Sequence, residues 1–202
     1  MFAQGGRRLA TALEFEKNRI IYSAENRYRL PGVRVRSEGQ APTNDSAVDE
    51  AYDGLGATFD LYAEVYGRNS IDDNGMDMVG TVHFGRNFGN ALWNGRQMIF
   101  GDGDGEVFNR MTVAIDVMGH ELTHGVIQYD VPPNGLEFAN QPGALNESIA
   151  DVFGSLVKQY HLQQTAGEAD WLIGQGFLTV NVKGVALRSM KAPGRGCRLP
   201  NA

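Results

Sequence analysis

Gly119-His120-Glu121-Leu122-Thr123-His124-Gly125 is the stretch from which the rest of the chain can be read. On a helix, residues four apart stand one above the other, so His120 and His124 aim two imidazoles at one point and can share a metal ion. Glu121 lies about 100° around the helix from His120, which puts it beside such an ion rather than on it. There its carboxylate can take a proton from a bound water, the role of a general base. Met118, Leu122, Gly125 and Val126 give this helix an apolar flank that buries it and keeps water away from the ion.

Two histidines are too few ligands. A catalytic zinc site of this type takes three protein ligands and leaves a fourth position open. The next helical pattern holds Asn146-Glu147-Ser148-Ile149-Ala150-Asp151, with Glu147 and Asp151 again four apart. Either carboxylate can ligate while the other supports. Asp151 suits the second ring N–H of a liganding histidine, where it fixes the tautomer and strengthens the donor. We therefore read His120, His124 and Glu147 as ligands of one zinc ion, with Asp151 behind them. Without the histidines, the same two carboxylates would read as a solvated helix face.

Working outward, Thr112 to Tyr129 and Ala144 to Tyr160 read as two helices, joined by a segment with Pro132-Pro133-Asn134-Gly135 that no helix tolerates. Ser46 with Asp49 reads as a capping box, and Val48, Tyr52, Leu55, Phe59, Tyr62 and Tyr66 recur at helical spacing until Gly67. Arg19 to Ser23 and Val33 to Arg36 are β-rich pieces, and Met78 to Phe84 is a further strand. Asn94-Gly95 between Ala91-Leu92-Trp93 and Gln97 to Phe100 predicts a hairpin with a type I′ turn.

The 202 residues are 42% hydrophobic and 21% charged, ample for a core. The net charge of −6, with basic residues scattered rather than massed, excludes nucleic acid as a partner. No apolar run approaches the ~20 residues that span a bilayer, so no membrane is expected, and Met1 to Leu13 lacks a signal-peptide core. The single cysteine, Cys197, cannot form an internal disulfide.

The chain resembles the thermolysin family of neutral metallopeptidases, especially its protealysin-type bacterial branch. The motifs that carry the resemblance are Leu30-Pro31-Gly32, Arg36-Ser37-Glu38-Gly39-Gln40, Asn90-Ala91-Leu92-Trp93-Asn94-Gly95, Phe100-Gly101-Asp102-Gly103-Asp104-Gly105, Gly119 to Gly125, and Gly143-Ala144-Leu145-Asn146-Glu147. It implies an α+β, two-lobed fold: a β-rich N-terminal lobe over residues 1–136, including the His-Glu-x-x-His helix, and an incomplete helical C-terminal lobe over 137–202. It also implies a secreted, zinc-dependent endopeptidase acting on peptides or proteins. Asn90 and Ala91 would lie on an edge strand that pairs with an extended substrate. Phe108, Met111, Val117 and Leu187 would form the apolar pocket for a bulky residue after the cleaved bond, and Arg188 would contact a substrate carbonyl.

Departures from the family pattern set further expectations. Phe138 stands where the family has an oxyanion-stabilising tyrosine, and neither His83 nor His161 fits the family's second catalytic histidine. Asp116 and Asp170 match two ligands of the family's paired calcium site, but Lys158, Leu172 and Gln175 replace acidic ones, so any residual calcium site is degraded. Asp102 and Asp104 read as a turn rather than an ion loop. The stretch from Gly194 to Ala202 is off the family pattern, as a frameshift would leave it. From these departures we expect a catalytically impaired fragment, with a zinc-binding remnant lacking catalysis as the alternative, and an uncovered apolar face on the Glu147 helix at Ile149, Val152, Phe153 and Leu156.

Overall fold

A five-stranded mixed sheet carries the N-terminal half, in the order β2-β1-β3-β5-β4. Its strands are β1 (Arg19–Ser23), β2 (Val33–Ser37), β3 (Met78–Val82), β4 (Ala91–Trp93) and β5 (Met98–Phe100). β1 pairs parallel with β3 and β3 parallel with β5, while β2 and β4 close the two edges antiparallel. The computed structural model describes residues 15–193. The expectations for Met1 to Leu13, Cys197 and the tail from Gly194 therefore fall outside the described residues.

Helix α1 (Ser46–Tyr66) packs against one face of the sheet. The helical spacing read from the sequence is its buried stripe: Val48, Tyr52, Leu55, Phe59 and Tyr62 are buried, whereas Tyr66 is half exposed. Leu55, Ile21, Met78, Val82, Met98 and Phe100 meet in one core with Met118 and Leu122 of the next helix. Each such side chain contributes about 1.5–3 kcal/mol on burial. The start of α1 differs from the expected capping box. Asp45 is the N-cap and accepts from the N–H groups of Ala47 and Val48. Asp49 is drawn away from the helix end by Thr43 and by Arg36, whose Nη1 lies 2.9 Å from Oδ1. Gly67, at φ 66°, ends the helix in the left-handed conformation that its missing side chain permits.

The hairpin of β4 and β5 is present, but its turn is not type I′. Gly95 has φ 93° and Asn94 does not share a positive φ. The side chain of Asn94 is the reason, since its Oδ1 accepts from the N–H groups of Arg96 and Gln97 and holds a four-residue loop.

After a short 3₁₀ turn at Met111–Val113 come α2 (Ile115–Asp130) and α3 (Asn140–His161), joined by the proline-containing loop. The two helices cross where glycine faces glycine. A Cβ on Gly154 would lie 2.3 Å from the carbonyl oxygen of Asp116, and one on Gly119 would lie 2.8 Å from Val157. This contact brings the carboxylates of α3 to the histidines of α2. Two-residue strands β6 (Leu172–Ile173) and β7 (Arg188–Ser189) then pair antiparallel, setting Arg188 against α3. The apolar face of α3 is uncovered only in part. Leu145 and Val152 are exposed, whereas Phe153 stacks on Tyr62 at 5.4 Å and Leu156 packs beside Val157.

Candidate metal centre and cleft

His120 and His124 lie on one side of α2 with their Nε2 atoms 3.0 Å apart. Glu147 reaches them from α3, with Oε2 3.3 Å from Nε2 of His120 and Oε1 3.6 Å from Nε2 of His124. Among the described residues, no other set of three histidine, cysteine or acidic side chains converges in this way.

The outer nitrogens of the rings decide what the inner ones can do. Nδ1 of His120 is 2.8 Å from Oδ1 of Asp151, and Nδ1 of His124 is 2.8 Å from Oδ1 of Asn146. The Asn146 amide is oriented by its own nitrogen, which donates to the carbonyl of Leu136 at 3.3 Å. Both Nδ1 atoms therefore carry a proton and donate, which in the neutral rings that ligate a metal leaves both Nε2 atoms as lone pairs facing each other. With the carboxylate of Glu147, three acceptors converge and no hydrogen lies between them. Such a set is repulsive alone and fits a zinc cation, whose usual ligands are imidazole nitrogen and carboxylate oxygen. Burial also pushes the His124 imidazole down, favouring the neutral form that ligates.

Asp151 is doubly held. Arg188 donates from Nε to Oδ2 at 2.7 Å and from Nη2 to Oδ1 at 2.6 Å. Burial works against its charge, but the hydrogen bonds from His120 and Arg188 prevail and hold the carboxyl at about 2. Glu121 has the opposite balance: burial raises its carboxyl to about 7. Its Oε2 accepts from the backbone N–H of Trp93 at 3.2 Å, so β4 fixes the carboxylate beside the metal ligands.

A cleft of about 580 Å³ surrounds these groups. Of the substrate-binding residues expected from the sequence, Asn90, Ala91, Val117, Leu187 and Arg188 line it. Phe108 and Met111 do not: Met111 is buried in the core, and Phe108 packs on that core and bridges to Leu178. The cleft also takes in Trp93, Gln128, Phe177 and Asn146, which sequence reasoning did not single out. Only Asn146 carried a signal, as the residue that turns inward just before a ligand. Phe138 stands at the cleft mouth, 71% exposed, with its ring 5.4 Å from that of His124.

The two aspartates named for calcium are already paired with a cation. Nζ of Lys158 lies 3.2 Å from Oδ2 of Asp116 and 2.9 Å from Oδ2 of Asp170, and donates to the carbonyl of Leu172 at 3.3 Å. The ammonium sits between the carboxylates that a calcium ion would have to bridge. The Gly-Asp-Gly-Asp-Gly segment is a turn, as expected. Asp104 accepts from the N–H groups of Glu106, Val107 and Phe108, and Asp102 binds His83.

Comparison with known proteins agrees with this geometry. Residues 10–128 match the family model of the thermolysin metallopeptidase catalytic domain, and residues 134–201 that of its alpha-helical domain. An extracellular metalloprotease of Pectobacterium carotovorum is 54% identical over 179 residues, covering 89% of this chain and 51% of that protein. Protease PrtS of a Photorhabdus strain is 54% identical, over 88% of this chain and 47% of its own length. The solved precursor of protealysin from Serratia proteamaculans superposes with a TM-score of 0.87 at 57% identity, over 91% of this chain and 56% of that one. The chain thus spans about half the length of the curated relatives it matches.

Proposed function

The chain belongs to the thermolysin metallopeptidase family, and on that premise we propose that its cleft binds one zinc ion and hydrolyses internal peptide bonds. The observation that carries this reading is the convergence of His120, His124 and Glu147 as proton-free acceptors, with Glu121 held beside them by Trp93.

The polarity of β4 supports the way a substrate lies. Asn90 and Asn94 turn their main-chain groups toward β5, through Gly101 N–H to Asn90 O and Asn94 N–H to Gln97 O. In an antiparallel pair the alternate residues face away, so Ala91 and Trp93 present theirs to the cleft. An extended peptide pairs along this edge. A large apolar side chain after the cleaved bond enters between Val117, Phe177 and Leu187, while Arg188, anchored on Asp151, offers its remaining N–H groups to a carbonyl oxygen.

Zinc, when bound, supplies a Lewis acid that polarises a carbonyl and makes water acidic near neutral pH. Glu121 does the proton work. Its Oε2 is held by Trp93, so Oε1 takes the proton of the attacking water and then passes it to the nitrogen of the departing amine. Burial alone raises this carboxyl to about 7 and a bound cation would pull it down, so the charged form that accepts the proton is the one favoured beside zinc.

Turnover by this chain is slow in our reading. Phe138, in the described lining, brings only a ring edge to His124 and no hydroxyl donor to a developing oxyanion. One missing donor of this kind typically costs about 10²–10³ in rate. The same observation favours, as a second reading, a zinc-binding protein without catalysis. As its Pectobacterium relative is named an extracellular metalloprotease, we place the protein outside the cell. No helix among the described residues is long and apolar enough to cross a membrane.

Zinc analysis and a fluorogenic peptide test the proposal together. We expect near one zinc per chain, lost in His124→Ala, and weak cleavage abolished by Glu121→Gln without loss of zinc. Phe138→Tyr should raise the cleavage rate. Full zinc in His124→Ala would overturn the ligand assignment, and cleavage by Glu121→Gln would remove the base. Zinc without any cleavage, in the wild type and in Phe138→Tyr, would leave the second reading standing.

A further inference from the structure

We propose that Gln128 is a specificity-determining residue, which selects a substrate side chain carrying an oxygen acceptor, glutamine or glutamate, two positions before the reacting carbonyl. The inference rests on the peptidase reading, which sets the direction of the bound chain.

The two ends of the cleft differ in chemistry. One is apolar, at Val117, Phe177 and Leu187; the other groups the polar Asn94, Gln128 and Asn134 with Gly95 and Gly135 beside the indole of Trp93, and carries no charge. At this end Asn94 has a fixed orientation, its oxygen held by its own loop, and so does Gln128. The indole Nε1 of Trp93 lies 3.1 Å from its Oε1. An indole nitrogen only donates, so the carboxamide must turn its oxygen to Trp93 and its nitrogen away. Among the described residues no group accepts from Nε2, and Nε2 is not a buried unpaired atom, so its hydrogens are open to the cleft. Gly95 keeps it so. A Cβ there would sit 3.7 Å from Oε1 and 3.8 Å from Nε2, and a longer side chain would cover the amide.

Spacing gives the substrate position. Gln128 is one turn beyond His124, about 6 Å along the axis of α2, and an extended peptide advances about 3.3 Å per residue. The amide therefore meets the second residue away from the metal ligands. Val117 lies on α2 before His120, at the opposite end, so if the residue after the cleaved bond fills the apolar pocket, the residue facing Gln128 precedes that bond. Gln128 is also tied to the reaction centre, since the Trp93 it anchors donates its backbone N–H to Glu121.

Zinc-loaded full chain and a series of acetyl-Ala-Xaa-Gly-hydroxamates, with Xaa as Gln, Glu, Met or Lys, test this by binding rather than turnover. The hydroxamate takes the metal and Xaa falls opposite Gln128. One hydrogen bond of this kind predicts that the Gln and Glu ligands bind about 2- to 10-fold tighter than the Met ligand. Gln128→Glu keeps an acceptor for Trp93 but removes the free donor. It should abolish that preference, move it toward Lys, and leave zinc content unchanged. Gln128→Met, similar in size, should abolish it as well. Equal binding of Gln and Met ligands by the wild type, or a preference that survives in either variant, would overturn the inference while leaving the peptidase reading intact. Failure of every hydroxamate to bind would remove both.

Discussion

The glycine-to-glycine crossing of α2 and α3 is where one methyl group should disable the metal centre without touching a ligand. In Gly154→Ala the new Cβ would lie 2.3 Å from the carbonyl oxygen of Asp116, 3.0 Å from the backbone nitrogen of His120 and 3.2 Å from its Cβ. Carbon normally rests about 3.3–3.6 Å from a carbonyl oxygen, so the helices must part by about 1 Å. Backbone stands on the other side of the contact, and no flexible side chain can yield. That displacement acts on the two links the centre depends on, Nδ1 of His120 to Asp151 at 2.8 Å and Glu147 to Nε2 of His120 at 3.3 Å. Loss of such supporting contacts typically lowers metal affinity about 10- to 100-fold, and overpacking costs about 1–3 kcal/mol of stability. Competition with a chromophoric chelator gives the zinc affinity, and urea denaturation of the same samples gives the stability. Gly167→Ala is the control, since a Cβ there meets only the hydroxyl of Thr165 at 3.9 Å. If folded Gly154→Ala binds zinc as tightly as the wild type, the crossing does not set the geometry of the site.

Three further outcomes concern stability away from the cleft. His83 lies between Asp102 and Asp45, at 2.9 and 3.0 Å, and the hydrogen bond to Asp102 leads in raising its imidazole to about 9. A raised value means the charged form is preferred on folding, so its contribution is complete below about pH 6.5 and is lost as the pH rises through 9. Allowing for its partial exposure to solvent, about 1–2 kcal/mol should vanish between pH 6 and pH 10; a His83→Gln variant with the same pH dependence as the wild type would refute this. Lys158→Met should cost about 3 kcal/mol, because it strands the buried carboxylate of Asp116. Calcium at millimolar concentration should leave the wild-type melting temperature unchanged, and a marked rise would show that calcium displaces the ammonium.

What the sequence discloses here is what repeats at short range. The stripe from Val48 to Tyr62 and the spacing of His120 with His124 are local periodicities, and the helices follow them. Glu147 was legible because its partner Asp151 lies four residues on. Contacts between distant residues were silent: Arg188 was legible as a substrate contact but not as the anchor of Asp151 across 37 positions, and nothing marked Trp93 as reaching Gln128 across 35. The cap of α1 departs from the sequence expectation for a related reason. Asp49 has the spacing of a capping box, yet Arg36, thirteen residues earlier, competes for it and leaves Asp45 to hold the helix end. Phe108 and Met111 have suitable chemistry for a pocket wall, but apolar character does not distinguish a wall from the core behind it.

Strand β4 has one more consequence. It is only three residues long and ends the sheet, and no further strand pairs with its outer side, where the Trp93 N–H donates to Glu121. An open edge is normally a liability, because stray chains add to it and begin aggregates. Here the edge lies inside a cleft with Glu121 directly across it. A strand that templates on β4 would lay its own backbone against the metal ligands and Glu121, so the exposure that invites misassembly is the same one the proposed function uses to receive a substrate.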